Sequence, residues 1–231
     1  MPVYRQLCLG LLTQLLTHEF NNSLTSLSGY AQMALSIRKE EIYLKSAQVF
    51  LDVSNRLQEL IQHIHTFSRQ PLDEILPCDP NQAALLVQKI LEHHLQKRNI
   101  QLQISSRLAH IVSGNLAVLS LGMLTYVLDA RDRILQEGRP GSIQLRLEED
   151  GEAALIRMGD SSSRPCRLAD PATEAGLSLS PDADPRQALA PLALRAVADI
   201  HSGSLSFLPS GEGMELSIRI PRPPLPAKPN P

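Results

Sequence analysis

His18, Glu19, Asn21 and Asn22 stand together in the run His18-Glu19-Phe20-Asn21-Asn22. A histidine followed at once by a carboxylate suits proton or group transfer. Glu19 can orient the ring or take the proton from one nitrogen, which leaves the other free as a nucleophile. On a helix turning about 100° per residue, Phe20 lies about 200° from His18, on the opposite, buried side. Asn22 lies only about 40° away, and Thr25 and Gly29 return to within about 20° of the histidine's own line. His18 is therefore expected on an exposed helix face, above a strip of small polar residues where a second protein has room to dock. By spacing alone, a solvated surface histidine is the simpler reading. A zinc-protease helix would need H-E-x-x-H, and Asn22 stands where the second histidine belongs.

The remaining reactive side chains form no comparable group. His63 and His65 are two apart on an expected helix and point to different faces, and His93 and His94 are adjacent, so neither pair has ligand spacing. No metal site is expected. Cys8, Cys78 and Cys166 are far apart, without a CxxC, which suits free thiols in a reducing cytoplasm. The 231 residues are 43% hydrophobic and 20% charged, with a formal net charge of -2. This is the composition of a soluble globular chain with room for a core. The near-neutral balance argues against a dedicated nucleic-acid binder. No apolar run approaches the roughly 20 residues of a membrane span. The run Leu7–Leu12 ends at Thr13-Gln14 without a small-residue cleavage site, so no signal peptide is read there.

The elements that must carry these residues follow from apolar periodicity. Leu9, Leu12, Leu16, Phe20, Leu24, Leu27, Ala31 and Ala34 recur at steps of three or four and predict one helix over 3–37. A tight turn is expected at Arg38-Lys39-Glu40-Glu41. A second stripe, Ala47, Phe50, Val53, Leu57, Leu60, Ile64 and Phe67, stops before Pro71. Two helices of about 30 residues each, about 45 Å long, joined this closely make an antiparallel hairpin. A lone hairpin has too little to bury its stripe against, so a homodimeric four-helix bundle is expected.

Beyond Pro71 the pattern changes. Asp79-Pro80 opens a helix to about Gln96. Ile100–Ile104 alternates as a strand, and Asn115 to about Gln136 reads as a Leu- and Val-rich helix. Strands are expected at Ile143–Leu147 and Ala153–Met158, then a long Ser/Pro/Asp-rich loop over 160–188, a helix to Ile200, and strands at Ser204–Phe207 and Glu215–Ile220. The tail Pro221–Pro231 holds six prolines in eleven residues and is expected to be extended and disordered. Its PxxP spacing would suit an SH3-like partner, but a loose tail is the simpler reading. The fold class is thus α+β. A helical hairpin over 1–71 precedes an α/β sandwich over 72–220 and a tail over 221–231.

His18-Glu19-Phe20-Asn21-Asn22-Ser23-Leu24, continuing to Gly29-Tyr30-Ala31, resembles the phospho-acceptor box of sensor histidine kinases of the nitrogen-regulator type. The α/β order resembles their ATP-binding domain, a sandwich shared with gyrase-type ATPases. The resemblance implies that His18 is the phospho-acceptor and Glu19 its acid/base partner. It also places Asn22 where family members hold a residue that positions water for dephosphorylating a receiver. Leu124 to Asp132 is similar to the family's N-L-L-x-N-A-R-D box, with Thr125 and Asp129 in place of the asparagines that help hold Mg²⁺ and phosphates. Met158-Gly159-Asp160-Ser161-Ser162-Ser163 resembles the D-x-G-x-G box. It keeps Asp160, which would read the adenine amine, and has Ser162 for the first glycine.

Counting back from His201-Ser202-Gly203, which resembles the family's H-G-G, the glycine loop falls on Ala188-Leu189-Ala190-Pro191. A Cβ there blocks close backbone approach to phosphate, and Pro191 removes an N–H donor. Twelve of the 17 prolines lie after residue 160, several of them where such a lid belongs. Asp160 and Asp129 remain the only candidate cofactor contacts of a degenerate ATP site. With 17 residues ahead of His18, no input domain is expected. The expectation is a cytoplasmic histidine phosphotransfer protein that relays a phosphoryl group between response-regulator receivers through His18. It needs no cofactor of its own, because the receiver supplies Mg²⁺. The alternatives are a histidine kinase or phosphatase with a divergent ATP site, and a non-catalytic receiver-binding adaptor.

Overall fold

The computed structural model describes residues 2–69, 74–164, 166, 194–210 and 213–222. The side chains of residues 2–16, His18, Glu19 and several positions near the end of the hairpin lie outside that description. So do most of the expected 160–188 loop and the tail beyond Arg222. Residues 5–70 form one compact unit and the chain from Pro71 onward belongs to a second. No helix among the described residues is long and apolar enough to cross a membrane.

The first unit is two helices, α1 (Pro2–Ile37) and α2 (Glu40–Arg69). Only Arg38 and Lys39 separate them. Arg38 adopts a left-handed φ of 51° and donates its N–H to the Ala34 carbonyl at 3.2 Å, the role a C-terminal capping glycine often takes. Ser46 Oγ on α2 donates to the Tyr30 carbonyl on α1 at 3.2 Å. Buried Ser23 and Ala34 on α1, with half-buried Phe20, Leu27 and Tyr30, make one seam, and Ile42, Ser46, Val49, Val53 and Leu57 make the other. Both seams advance by steps of three and four, as in coiled-coil packing.

This seam is out of phase with part of the expected stripes. Leu24 is 54% exposed and Phe50 38% exposed. Small Ser23 and Ser46 let the helices approach, and the large apolar side chains beside them stay outward. A second apolar face, with Leu24, Leu35, Leu44 and Leu51, is uncovered in the single chain.

The second unit runs β1 (Leu76–Cys78), α3 (Pro80–Gln96), β2 (Ile100–Ser106), β3 (Val112–Gly114), α4 (Leu116–Glu137), β4 (Gly141–Asp150) and β5 (Ala153–Asp160). Residues 194–200 are helical, and β6 (Ser204–Ser210) and β7 (Gly213–Pro221) close the order. The main sheet has five strands in the order β2-β4-β5-β7-β6. Among the described strands of this sheet only β2 and β4 pair in parallel, and the remaining pairs are antiparallel. Strands β1 and β3, three residues each, form a separate antiparallel pair that periodicity does not reveal. Ile143, Leu145 and Leu147 of β4 and Ile156 and Met158 of β5 are fully buried, at about 2 kcal/mol of hydrophobic stabilisation per large side chain. Helix α3 packs on α4 and β2. Gly122 lets α4 lie against Val197, where a Cβ would fall 2.5 Å from that side chain.

Helix α4 is capped at both ends. Asn115 at its N-cap accepts from the Ala117 and Val118 amides through its side chain, both at 3.1 Å. Gly138 ends it in the left-handed conformation, φ 68°. The caps fix where the helix starts and stops, and so which of its side chains face β5.

Candidate functional site

His18 and Glu19 lie in the continuous helix α1, as the phospho-acceptor reading requires, with their side chains outside the described residues. Asn22, Thr25 and Gly29 are exposed. Thr25 Oγ1 donates to the Asn21 carbonyl at 2.8 Å, folding its polarity back on the helix. A Cβ added at Gly29 would meet nothing within 4 Å. The low, polar strip expected beside His18 is present at these three positions, and Phe20 is half-buried.

Asp129 and Asp160 come together in the second unit, with a guanidinium between them. Arg133, one turn after Asp129 on α4, donates Nε to Asp129 Oδ2 at 2.8 Å. Its Nη1 and Nη2 reach Asp160 Oδ1 and Oδ2 at 3.1 and 2.7 Å, a bidentate pair. The Tyr126 hydroxyl donates to Asp160 Oδ2 at 2.7 Å, and the Ser162 amide to Oδ1 at 2.9 Å. The side chains of Arg133 and Asp160 are 2% and 1% exposed. Burial by itself would favour the neutral form of Arg133, and the carboxylates of Asp160 and Asp129 more than offset it, so the guanidinium stays charged. Burial, then the neighbouring Asp160 charge, holds the proton on Tyr126 far above the usual phenol range.

Glu137, at the end of α4, gathers the turn after β5. It accepts from Ser162 Oγ at 2.6 Å, from the Ser163 amide at 2.8 Å and from Arg139 Nε at 2.7 Å. These bonds, Ser162's and Arg139's first, hold its carboxyl down at about 2. Buried His201 is a structural histidine. Its Nδ1 bonds the Val197 carbonyl at 2.7 Å, and its Nε2 accepts from the Asn115 amide at 3.0 Å. Cys78 is pushed up to about 11 by burial and then by Asp79, so it is no nucleophile at neutral pH. Among the described residues no group of His, Cys, Asp and Glu is placed to hold a metal ion.

No protein-family model and no curated protein matches the sequence. Solved structures do. The catalytic domain of histidine kinase ThkA matches 64% of this chain with 98% of its own, at TM-score 0.54 and 16% identity. A structure described as a bacterial phosphotransferase matches 91% of this chain with 95% of its own, at TM-score 0.58 and 13% identity. Histidine kinase ThkA in complex with the response regulator protein TrrA matches 95% of this chain with 64% of its own, at TM-score 0.51 and 18% identity. The α/β unit has the histidine-kinase catalytic fold.

A histidine-kinase-type fold implies an adenine nucleotide, and the motif resemblance would put its amine at Asp160. A carboxylate offers about four lone-pair sites. Here two Arg133 donors, the Tyr126 hydroxyl and the Ser162 amide supply four hydrogen bonds. Asp129 likewise spends Oδ2 on Arg133. Residues so engaged do not fit an adenine amine at Asp160. The Ala188–Pro191 stretch lies outside the described residues. Neither Arg133 nor Tyr126 stands out in the sequence as a site residue. Tyr126 lies three residues before Asp129 and Arg133 four after it, which places all three on one face of α4. That spacing was the available signal.

Proposed function

We propose that this chain is a histidine phosphotransfer protein that relays a phosphoryl group between receiver aspartates through His18. The observation that carries the reading is the engaged Asp160. A histidine-kinase-type unit that spends this carboxylate on its own Arg133 is poorly suited to take phosphate from ATP, while α1 retains the acceptor sequence beside an exposed polar strip. The similarity to a bacterial phosphotransferase over nearly the whole chain favours the same reading. A similar kinase seen with a response regulator favours receivers as partners.

A receiver docks over Asn22, Thr25 and Gly29, bringing its aspartyl phosphate to His18. The free ring nitrogen attacks phosphorus in line; the P–N bond forms as the P–O bond to the receiver breaks, and the aspartate leaves as a carboxylate. Glu19 holds the proton of the other ring nitrogen and stabilises the positive charge the ring acquires. The receiver's Mg²⁺ offsets charge on the transferring oxygens, so the helix contributes mainly positioning. A second receiver takes the phosphoryl group by the reverse step. Two copies pair through the uncovered apolar hairpin faces into a four-helix bundle.

The test is the source of label on His18. Label passes from a phosphorylated receiver to the wild type and not to His18→Gln, and [γ-³²P]ATP with Mg²⁺ labels neither. Labelling from ATP, or transfer that survives His18→Gln, would overturn the relay.

A further inference from the structure

Arg133 and Asp160 are fully buried, and charges taken from water carry a desolvation penalty that apolar side chains of equal volume would avoid. The arrangement of partners shows what this pair does. The guanidinium edge presents two parallel N–H donors to the two oxygens of Asp160, at 3.1 and 2.7 Å. Any external planar N–H donor, such as a guanidinium or the amine of an aminopurine, would engage the same carboxylate in the same way. Tyr126 and Ser162 complete its acceptor set, and Asp129 holds the third guanidinium nitrogen. Thr125 Oγ1, one turn before Asp129 on α4, is buried with no hydrogen-bond partner among the described residues. These groups form a socket of the right chemistry for a planar cation, and the chain itself fills it.

We propose that Arg133 is the resident occupant of this pocket and the residue that closes it to external ligands. It keeps the α/β unit ordered without a nucleotide. The proposal rests on the reading that the chain draws phosphate from a receiver rather than from ATP, and it names the side chain responsible. Arg133→Ala removes the occupant and leaves two carboxylates facing a cavity. A small guanidinium cation is the class of ligand that refills it.

Thermal melting of the full chain tests this with ethylguanidinium as probe and urea, a planar neutral analogue, as control. Millimolar ethylguanidinium should raise the melting temperature of Arg133→Ala by about 3 °C or more and leave the wild type unmoved. Urea at the same concentration should move neither. Arg133→Gln, shorter but still able to donate one N–H toward Asp160, carries the same test if the alanine variant does not fold. No response to the cation beyond that to urea, or an equal response in the wild type, overturns the proposal. Failure of the wild type to take label from a phosphorylated receiver would sink the relay reading and leave the cation rescue standing.

Discussion

His201 shows how one buried side chain constrains the unit. Its ring fills the space beside Gly114, where a Cβ would collide with the imidazole. Nε2 must be an acceptor because the Asn115 amide faces it, so Nδ1 carries the proton toward the Val197 carbonyl. Burial pulls its pKa below the ordinary 6.5, and the bond to the Val197 carbonyl only partly opposes this. As pH falls below about 6.5 the unfolded chain takes up a proton that the folded ring resists, so stability is lost on acidification and is full above that pH. Urea unfolding should therefore give a lower midpoint at pH 5.5 than at 7.5, with the difference reduced in His201→Gln. A pH difference unchanged in that variant would assign the effect elsewhere. Gly114→Ala should cost roughly 1–3 kcal/mol by overpacking against the ring. At the ion pair, Asp160→Asn leaves Arg133 buried without its main counter-charge. Breaking such a pair typically costs about 3–5 kcal/mol, measurable in the same unfolding experiment.

At the scale of elements, legibility in the sequence follows length. The hairpin, α3, α4 and strands β4, β5 and β7 were readable because each repeats its apolar spacing over several residues. Leu76–Cys78 and Val112–Gly114 are too short to alternate, and Pro77 argues against a strand, so the β1–β3 pair was not readable. The seam of the hairpin was legible only partly in phase, because two apolar faces share each helix and serine, not leucine, lines the closer approach. The helix that carries His18 to Asn22 was legible from its apolar repeat. The occupant of the Asp160 pocket was not, since Asp160 and Arg133 are 27 residues apart and meet only when α4 packs beside β5.

The uncovered faces make a prediction at this scale. Leu35 and Leu44 are 70% and 66% exposed beside the turn, with Leu51 further along α2. Sedimentation should give twice the chain mass for the wild type, and Leu44→Glu/Leu51→Glu should shift it to the monomer. A wild-type monomer at micromolar concentration would remove the bundle from the reading. The cap of α4 is a more local device. Asn115→Ala should cost about 1 kcal/mol for the lost helix cap, and more if the bond from its amide to the Glu74 carbonyl also contributes.

For the whole molecule, the proposed relay would separate the surface that receives a partner from the interior that holds the fold. The α/β unit satisfies its own ionic site, and one carboxylate pairs two arginines on its sheet as well. Arg146 and Arg157 face each other across β4 and β5, and Glu215 bridges them at 2.7 and 3.0 Å. The hairpin carries the opposite design, an exposed strip with little side-chain bulk at Asn22, Thr25 and Gly29. Gly29 distinguishes docking from stability, because an added Cβ there meets nothing within 4 Å among the described residues. In an exposed helix interior, replacing glycine removes a penalty of about 1 kcal/mol, so Gly29→Arg should fold at least as well as the wild type. The same arginine would project from the surface proposed for a receiver, about three turns from His18 on the same line. Phosphoryl transfer from a phosphorylated receiver should slow by about tenfold or more, a barrier increase of about 1.4 kcal/mol, while the melting temperature holds or rises. An unchanged transfer rate in the stably folded Gly29→Arg protein would place receiver docking elsewhere on the hairpin.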